Sequence, residues 1–464
     1  MRKLLIVSLG TCILSLTSFL CNAQYTDILD FNYTNGAYPN GSLTQSGNKL
    51  YGMTYSGGTN NDGAIFVVDT NGNGNRVLCN FNSANGANPD GSLTLSGSKL
   101  FGMTYYGGTN NHGVIFSMDT SGSGYKVLYD FNVIKGDYPQ GSLTCTGGVL
   151  YGMTVYGGAN SDGIIFSIDT NGNGYKDLYD FNGTKGAYPS GSLTLAGGKL
   201  YGMSRQGGSS GNGVVFSIDT NGSGYKDLLD FNLTNGGNPY GDLTYAGGIL
   251  YGMTNSGGTV GKGVIFSIDT NGGGYKDLCN FNSTNGAYPN ASLTLSGRKL
   301  FGMTVQGGAN TYGLIFIIDT NGSGYHDLYD FNFVTGAAPF GSLTLSGSTL
   351  FGMTSGGGAN NDGVVFKFDS SFLTSVNHRS VVGGQCSVYP NPSKGIFTMQ
   401  SSVVSNQWSV EVYNMLGEKV FSQFNIQNPT FKIDLSSNPN GIYFYRVVSE
   451  NGDLVGEGKL VIVK

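Results

Sequence analysis

The chain reads as an all-β protein, a seven-bladed β-propeller of four-stranded blades with a small β-sandwich behind it. Three observations predict this. The motif [YF]GM[TS] begins at Tyr51, Phe101, Tyr151, Tyr201, Tyr251, Phe301 and Phe351, seven copies spaced 50 residues apart without insertion. Within each copy, short apolar runs alternate with Gly and Asn turns, and nothing shows helical periodicity. Finally, the stretch YTDILDFN at 25–32 repeats YKDLYDFN at 175–182, the tail of a unit, and no such tail follows the last unit.

One unit, parsed over residues 191–232, justifies the strands in order. GSLTLAGGKLYGMS supplies two short strands around a Gly-Gly turn. GVVFSIDTNGSGYKDLLDFN supplies two longer ones around TNGSG, and Asn-Gly between apolar runs is the strongest short-range hairpin signal. The third strand is apolar at consecutive positions. Phe66, Phe116, Phe166, Phe216, Phe266, Phe316 and Phe366 recur in it without exception, which suits a strand covered on both faces. Prolines recur in register at Pro39, Pro89, Pro139, Pro189, Pro239, Pro289 and Pro339. A period of this length means a solenoid, a propeller or a linear array. The complementary ends favour the ring: the strand at 25–32 is expected to pair with VVFKFD at 364–369, completing the last blade and removing an exposed edge.

The flanks set the compartment. Arg2 and Lys3, the apolar stretch LLIVSLGTCILSLTSFL and the small residues of CNA form an export signal, expected to be cut between Ala23 and Gln24. Lipidation at Cys21 is disfavoured by the bulky Leu20 before it. No later segment approaches the roughly 20 apolar residues that span a bilayer. Only 11% of residues are charged and the formal net charge is −5, so the chain has no basic field for nucleic acid. Cys79, Cys145, Cys279 and Cys386 sit where Tyr or Leu stands in other repeats, or alone, and read as small apolar residues with no disulfide framework or metal cluster.

Strand order places the loops after the second and fourth strands on one face of the ring, and these are the longer, more variable ones. Residue 62 and its equivalents run Asp62, His112, Asp162, Asn212, Lys262, Tyr312, Asp362. The position after the motif runs Tyr55, Tyr105, Val155, Arg205, Asn255, Val305, Ser355. Tyrosines are frequent there, and rings with a polar tip suit glycan or peptide recognition. The candidate ligand-binding residues are therefore Tyr55, Tyr105, Tyr106, Tyr156, Arg205, His112, Asp62, Asp162 and Tyr240. DTNGNG at 69–74 and 169–174 resembles the start of a calcium loop but carries one early carboxylate between strands, so it reads as a hairpin turn with no metal. No catalytic spacing joins Asp62, Asp162 and Asp362, His112 and His326 lack a recognisable nucleophile, and no phosphate loop is present. No cofactor and no catalytic residue is expected.

Composition changes after about residue 375. CSVYPNPSKGIFTMQ (386–400), WSVEVYNMLGEKVF (408–421) and the terminal run to GKLVIVK alternate short strands with Asn-Pro and Asn-Gly turns, a pattern for an immunoglobulin-like β-sandwich of about 80 residues. This segment resembles the C-terminal sorting domain of the type IX secretion system of Gram-negative bacteria. The resemblance rests on YPNPSKGIF, VYNMLGEKV and LSSNPNGIYFYRV, and marks Tyr389, Pro390, Asn391, Pro392, Gly395, Gly417, Gly441, Tyr443 and Lys464 as sorting-signal residues. It implies recognition by that machinery and passage across the outer membrane. The repeats, with their YGMT…GG…G.[IV]F pattern, resemble the GloVer tandem-repeat family, which brings no assigned activity.

The expected organisation is a signal peptide at 1–23, a propeller at 24–371, a linker at 372–384 and a sorting domain at 385–464. The expected function is a monomeric, secreted or surface-attached binding or display module for a glycan or protein ligand. The alternatives are an extracellular polysaccharide- or peptide-acting enzyme on the same face, and a structural adhesion protein without a specific ligand.

Overall fold

A computed structural model of the protein describes residues 25–371, 386–401, 408–414, 418–428, 430–449 and 454–464, which divide into compact units up to Ser370 and from Ser371. The expected signal segment 1–23, the linker 372–384 and Gly417 lie outside the described residues.

The first unit consists of seven four-stranded antiparallel sheets, a propeller-like repeat architecture. A leading strand β1 (Tyr25–Asp30) precedes the first sheet, formed by β2 (Thr44–Ser46), β3 (Lys49–Thr54), β4 (Ala64–Asp69) and β5 (Arg76–Asn80) in that spatial order. The continuous apolar run of the third strand is explained by its place between neighbouring sheets: Ile65, Phe66, Val67 and Val68 are all buried. The DTNGNG segment is a capped turn. Asp169 Oδ1 accepts the N–H groups of Asn171 and Asn173, both at 2.8 Å, and these backbone bonds hold its carboxyl below the usual carboxylate range. Cys79, Cys145 and Cys279 are free and half-buried against the inter-sheet cores, as expected of small apolar substitutes.

Successive sheets are joined by a phenylalanine ladder. The Phe that follows each outer strand lies edge-on against the third-strand Phe of the next sheet, as in Phe81–Phe116 and Phe131–Phe166, and the seven pairs have centroid separations of 5.0–5.6 Å. Every ring in these pairs is fully buried. Burial stabilises by about 1.5–3 kcal/mol per ring, and the edge-to-face geometry adds about 0.5–1.5 kcal/mol per pair.

The ladder closes on itself. β1 pairs antiparallel with Val364–Asp369, with Tyr25 opposite Phe368 and Asp30 opposite Val364. Phe331–Phe366 and Phe31–Phe66 are then the two pairs that flank the closing sheet. Tyr25 stacks on Tyr329 at 4.1 Å and donates to the Thr335 carbonyl, just as Tyr175 stacks on Tyr129 at 4.0 Å and donates to the Lys135 carbonyl. Pro39 packs on Gly363, where φ is +93° and a Cβ would stand 2.9 Å from the proline ring. The same Pro–Gly contact recurs between the other repeats, which accounts for both residues keeping register.

The second unit contains a three-stranded sheet (Cys386–Tyr389, Ile396–Ser401, Thr430–Asp434) and a four-stranded one (Lys419–Ile426, Trp408–Tyr413, Gly441–Ser449, Leu454–Ile462). Phe397, Met399 and Ile433 from the first share one core with Trp408, Val410, Val412, Tyr445 and Leu460 from the second. Several of the residues that carry the resemblance tie its ends together. Asn391 donates to the Lys459 carbonyl at 2.6 Å and accepts from Val461 N–H at 2.9 Å. Gly395 (φ +105°) lies where a Cβ would strike the Leu435 carbonyl. Tyr443 is buried with its hydroxyl on the Pro439 carbonyl, and Lys464 Nζ caps the Asn438 carbonyl. Tyr389 is half exposed, at 49%. Glu411 is buried; desolvation alone would raise its carboxyl, but hydrogen bonds from Lys419, Tyr413 and Arg446 outweigh it and hold the pKa at about 2.

Two predictions follow from these contacts. If the ladder is closed, Phe31→Ala should cost about as much as Phe131→Ala, on the order of 3–5 kcal/mol each. Denaturant midpoints would show it, and a near-silent Phe31→Ala would mean an open array. Separately, the folded-state pKa of Glu411 lies below its ordinary value of 4.5. Its stabilising contribution is therefore complete above pH 4.5 and fades as the pH falls toward about 2. Trp408 is the sole tryptophan of the chain and is buried in the second unit, so its fluorescence reports that unit alone. Glu411→Gln should flatten the acid limb of its unfolding curve; an unchanged limb would sink the assignment.

Candidate functional site

The innermost strand of each sheet enters from the recurring proline, and the three residues after that proline converge from all seven repeats. Together they line a cavity of about 300 Å³. Its wall is a hydrogen-bonded girdle. Ser42 N–H donates to Ser92 Oγ, Ser92 to Ser142, and so on around to Ser342, which donates to Ser42; the six bonds with a serine acceptor measure 2.6–2.8 Å. The seventh acceptor is the carboxylate of Asp242, which takes Ser192 N–H in place of a serine hydroxyl. Glycine at Gly41 fits this close approach, since a Cβ there would lie 2.2 Å from the Gly91 carbonyl oxygen unless the backbone shifted, as it does for Ala291 at the equivalent position.

The framework repeats, but the residue directly after the proline does not. This inner ring reads Asn40, Asp90, Gln140, Ser190, Tyr240, Asn290 and Phe340. Around it sits a second variable ring, the position after the GM[TS] motif, and the two touch in register. Asn255 donates to Asn290 at 2.6 Å, Ser355 to Asn40 at 3.0 Å, and the Arg205 guanidinium lies 5.3 Å from the Tyr240 ring centroid. Asp90 is the electrostatic centre of one side. Burial raises its carboxyl above the usual range, against two amide donors, Asn40 and Gln140, each at 2.7 Å. Burial likewise raises the Tyr55 and Tyr105 phenols, and the nearby Asp90 charge adds to both. Burial also raises the Asp242 carboxyl.

Of the residues singled out from sequence, Tyr55, Tyr105 and Arg205 lie in the second ring and Tyr240 in the inner one. Tyr106 and Tyr156 continue a patch outward: Tyr105 stacks on Tyr138 at 4.9 Å, Tyr106 meets both edge-on, and Tyr156 bridges Tyr138 to Tyr188. One face of Tyr105 is therefore already covered. The hydroxyls of Tyr55, Tyr105, Tyr106 and Tyr156 have no hydrogen-bond partner among the described residues. His112 Nδ1 pairs with Asp137 at 2.7 Å beside this patch. Asp62 and Asp162 stand apart at separate inter-repeat junctions: Asp62 accepts from Ser83 Oγ at 2.6 Å, and the Asp162 carbonyl accepts from Tyr188 N–H at 2.8 Å. Among the described residues, no three His, Cys, Asp or Glu side chains gather to hold a metal. Sequence reading missed the inner ring apart from Tyr240. Its signal was present: strong variation at the register position directly after an unvarying Pro.

Residues 12–164, 136–297 and 198–393 match the model of the Gloeobacter/Verrucomicrobia repeat, which together is most of the chain. The chain belongs to the Gloeobacter/Verrucomicrobia repeat family. Residues 387–463 of this repeat protein match the secretion system C-terminal sorting domain. The protein is thus a secreted or cell-surface one whose tail interacts with the type IX secretion machinery. No helix among the described residues is long and apolar enough to cross a membrane. No curated protein matches the chain. Among solved structures, a fungal alcohol oxidase of the AA5 family in complex with copper is similar at 12% identity and TM-score 0.47, covering 95% of this chain and 98% of its own. PorZ, a surface component of the type IX secretion system of Porphyromonas gingivalis, is similar at 11% identity and TM-score 0.23, covering 91% and 75%. A tricorn protease is similar at 10% identity and TM-score 0.39, covering 91% of this chain, which spans 44% of that one.

The girdle predicts a cost at Asp242. A serine there would accept the same Ser192 N–H bond without a desolvated charge, so Asp242→Ser should raise the melting temperature at pH 7. A carboxyl raised in the folded state destabilises at high pH and costs nothing once it is protonated in both states. The gain should therefore vanish below the ordinary aspartate value of 3.8. Thermal melts at pH 7 and pH 3.5 test this, and a variant less stable at both would refute it.

Proposed function

We propose that this repeat protein is a secreted or cell-surface glycan-binding module, in which a seven-bladed propeller presents the mouth of its central channel as the contact surface. Signal-peptide removal at Ala23, a linker at 372–384 and an immunoglobulin-like sorting sandwich from 385 complete the proposed organisation, with the protein acting as a monomer. The observation that carries the binding reading is the division of labour within each repeat. Pro and Phe positions that build the framework stay constant and its Ser and Thr positions nearly so, while two concentric rings around the cavity vary from unit to unit. Those rings present amides, unpaired phenol hydroxyls and partly exposed aromatic surface, and saccharides are bound by hydroxyl pairing combined with ring contact.

Glycan-array binding of the purified chain tests the reading. Tyr55→Ala and Tyr105→Ala should each weaken the strongest array ligand at least about tenfold, the loss of one ring contact with its hydroxyl bond. Tyr245→Ala, which removes an exposed ring from an innermost strand away from the mouth, should leave binding unchanged. Binding that survives both mouth substitutions would refute the proposal.

A further inference from the structure

Arg205 is the one charged residue of the second ring, whose other members are Tyr55, Tyr105, Val155, Asn255, Val305 and Ser355. It is half-buried and lies over Tyr240 at the cavity rim, and its side chain makes no ion pair or hydrogen bond among the described residues. Its Nε is buried without a partner. A guanidinium carries five donors in a planar fork, and leaving the buried Nε–H among them unmet is unfavourable. The aromatic ring compensates the charge by a cation–π contact, but it accepts none of these in-plane donors. Among anions, a carboxylate matches the fork bidentately.

Building on the glycan-binding reading, we infer that Arg205, braced by Tyr240, is the carboxylate-reading corner of the channel mouth, and that the ligand is a uronate-containing glycan. The remaining groups at the mouth favour a sugar over an acidic peptide. Asn40, Gln140, Asn255 and Asn290 offer amides, and Tyr55 and Tyr105 offer free hydroxyls, a set made for a ligand with many hydroxyls and few charges. A dense polyanion would meet Asp90 and Asp242, which line the same cavity. A glycan in which uronates alternate with neutral sugars places one carboxylate among many hydroxyls, so a single cation can be satisfied without driving further negative charge against either aspartate.

Isothermal titration of the full chain with hexasaccharides in which uronates alternate with neutral sugars (hyaluronan, heparosan and unsulfated chondroitin), each beside its carboxyl-reduced form, tests the inference. At least one uronate oligomer should bind at least tenfold more tightly than its reduced counterpart. Arg205→Gln should abolish that preference, Arg205→Lys should restore it in part, and Arg298→Gln, in a turn far along the chain from the mouth residues, should leave it intact. Thermal melts check that each variant is folded. Equal binding of charged and reduced oligomers, or a preference untouched by Arg205→Gln, would overturn the inference. Tight binding of hexaglutamate with the same Arg205 dependence would also overturn it, in favour of a peptide ligand. If array glycans bind through Tyr105 while no uronate preference exists, the binding-module reading stands and the Arg205 assignment falls.

Discussion

No repeat of this protein can bury its own phenylalanines. The ring that follows each outer strand leaves its sheet and finds cover only against the third strand of the next, and that third strand is apolar on both sides because it waits for such a ring. A four-stranded sheet alone would expose both partners. Seven such sheets in an open row would still leave one unmatched at each end. The pairing of β1 with Val364–Asp369 removes both liabilities at once, since it supplies Phe31 to one neighbour and a covered Phe366 to the other. The strand also hides the hydrogen-bonding edge that the last sheet would otherwise present.

That constraint organises the candidate site. Because the sheets must pack face to face, their innermost strands are driven together, close enough that Gly41 and its counterparts touch backbone to backbone. At that distance, each N–H at the start of the strand can reach the hydroxyl of the neighbouring serine, and the girdle forms. The residues immediately outside the girdle bear none of this packing. They are free to differ, and they do, from Asp90 to Phe340. A rigid ring with a variable collar is a physical arrangement in which recognition can change without disturbing the fold. Asp242 is the exception that enters the girdle itself and places a buried carboxyl there, which burial raises above its usual range.

Much of the fold was legible because its signals are local and repeated. The 50-residue period, the Asn-Gly turns and the doubly apolar third strand identify the strands, and the match between YTDILDFN and YKDLYDFN identifies the closing partner. The site was legible only in part. Tyr55, Tyr105 and Arg205 stood out because they follow a conspicuous motif, whereas Asn40, Asp90 and Gln140 sit in a Gly-rich loop whose importance depends on convergence across repeats far apart in sequence. The covered face of Tyr105 was also invisible, since Tyr138 reaches it from another repeat.

The amino-acid sequence by itself determined the units, their strand order, the export-type tail and the need for closure, because hydrophobic period, turn chemistry and internal repetition act over a few residues at a time. Only the tertiary structure decided which side chains share a surface. The collar around the cavity, the Asn40–Asp90–Gln140 network and the isolated guanidinium of Arg205 over Tyr240 each join residues 35 or 50 positions apart. Their proximity comes from packing sheet on sheet around a common axis, a geometric consequence that no single repeat encodes.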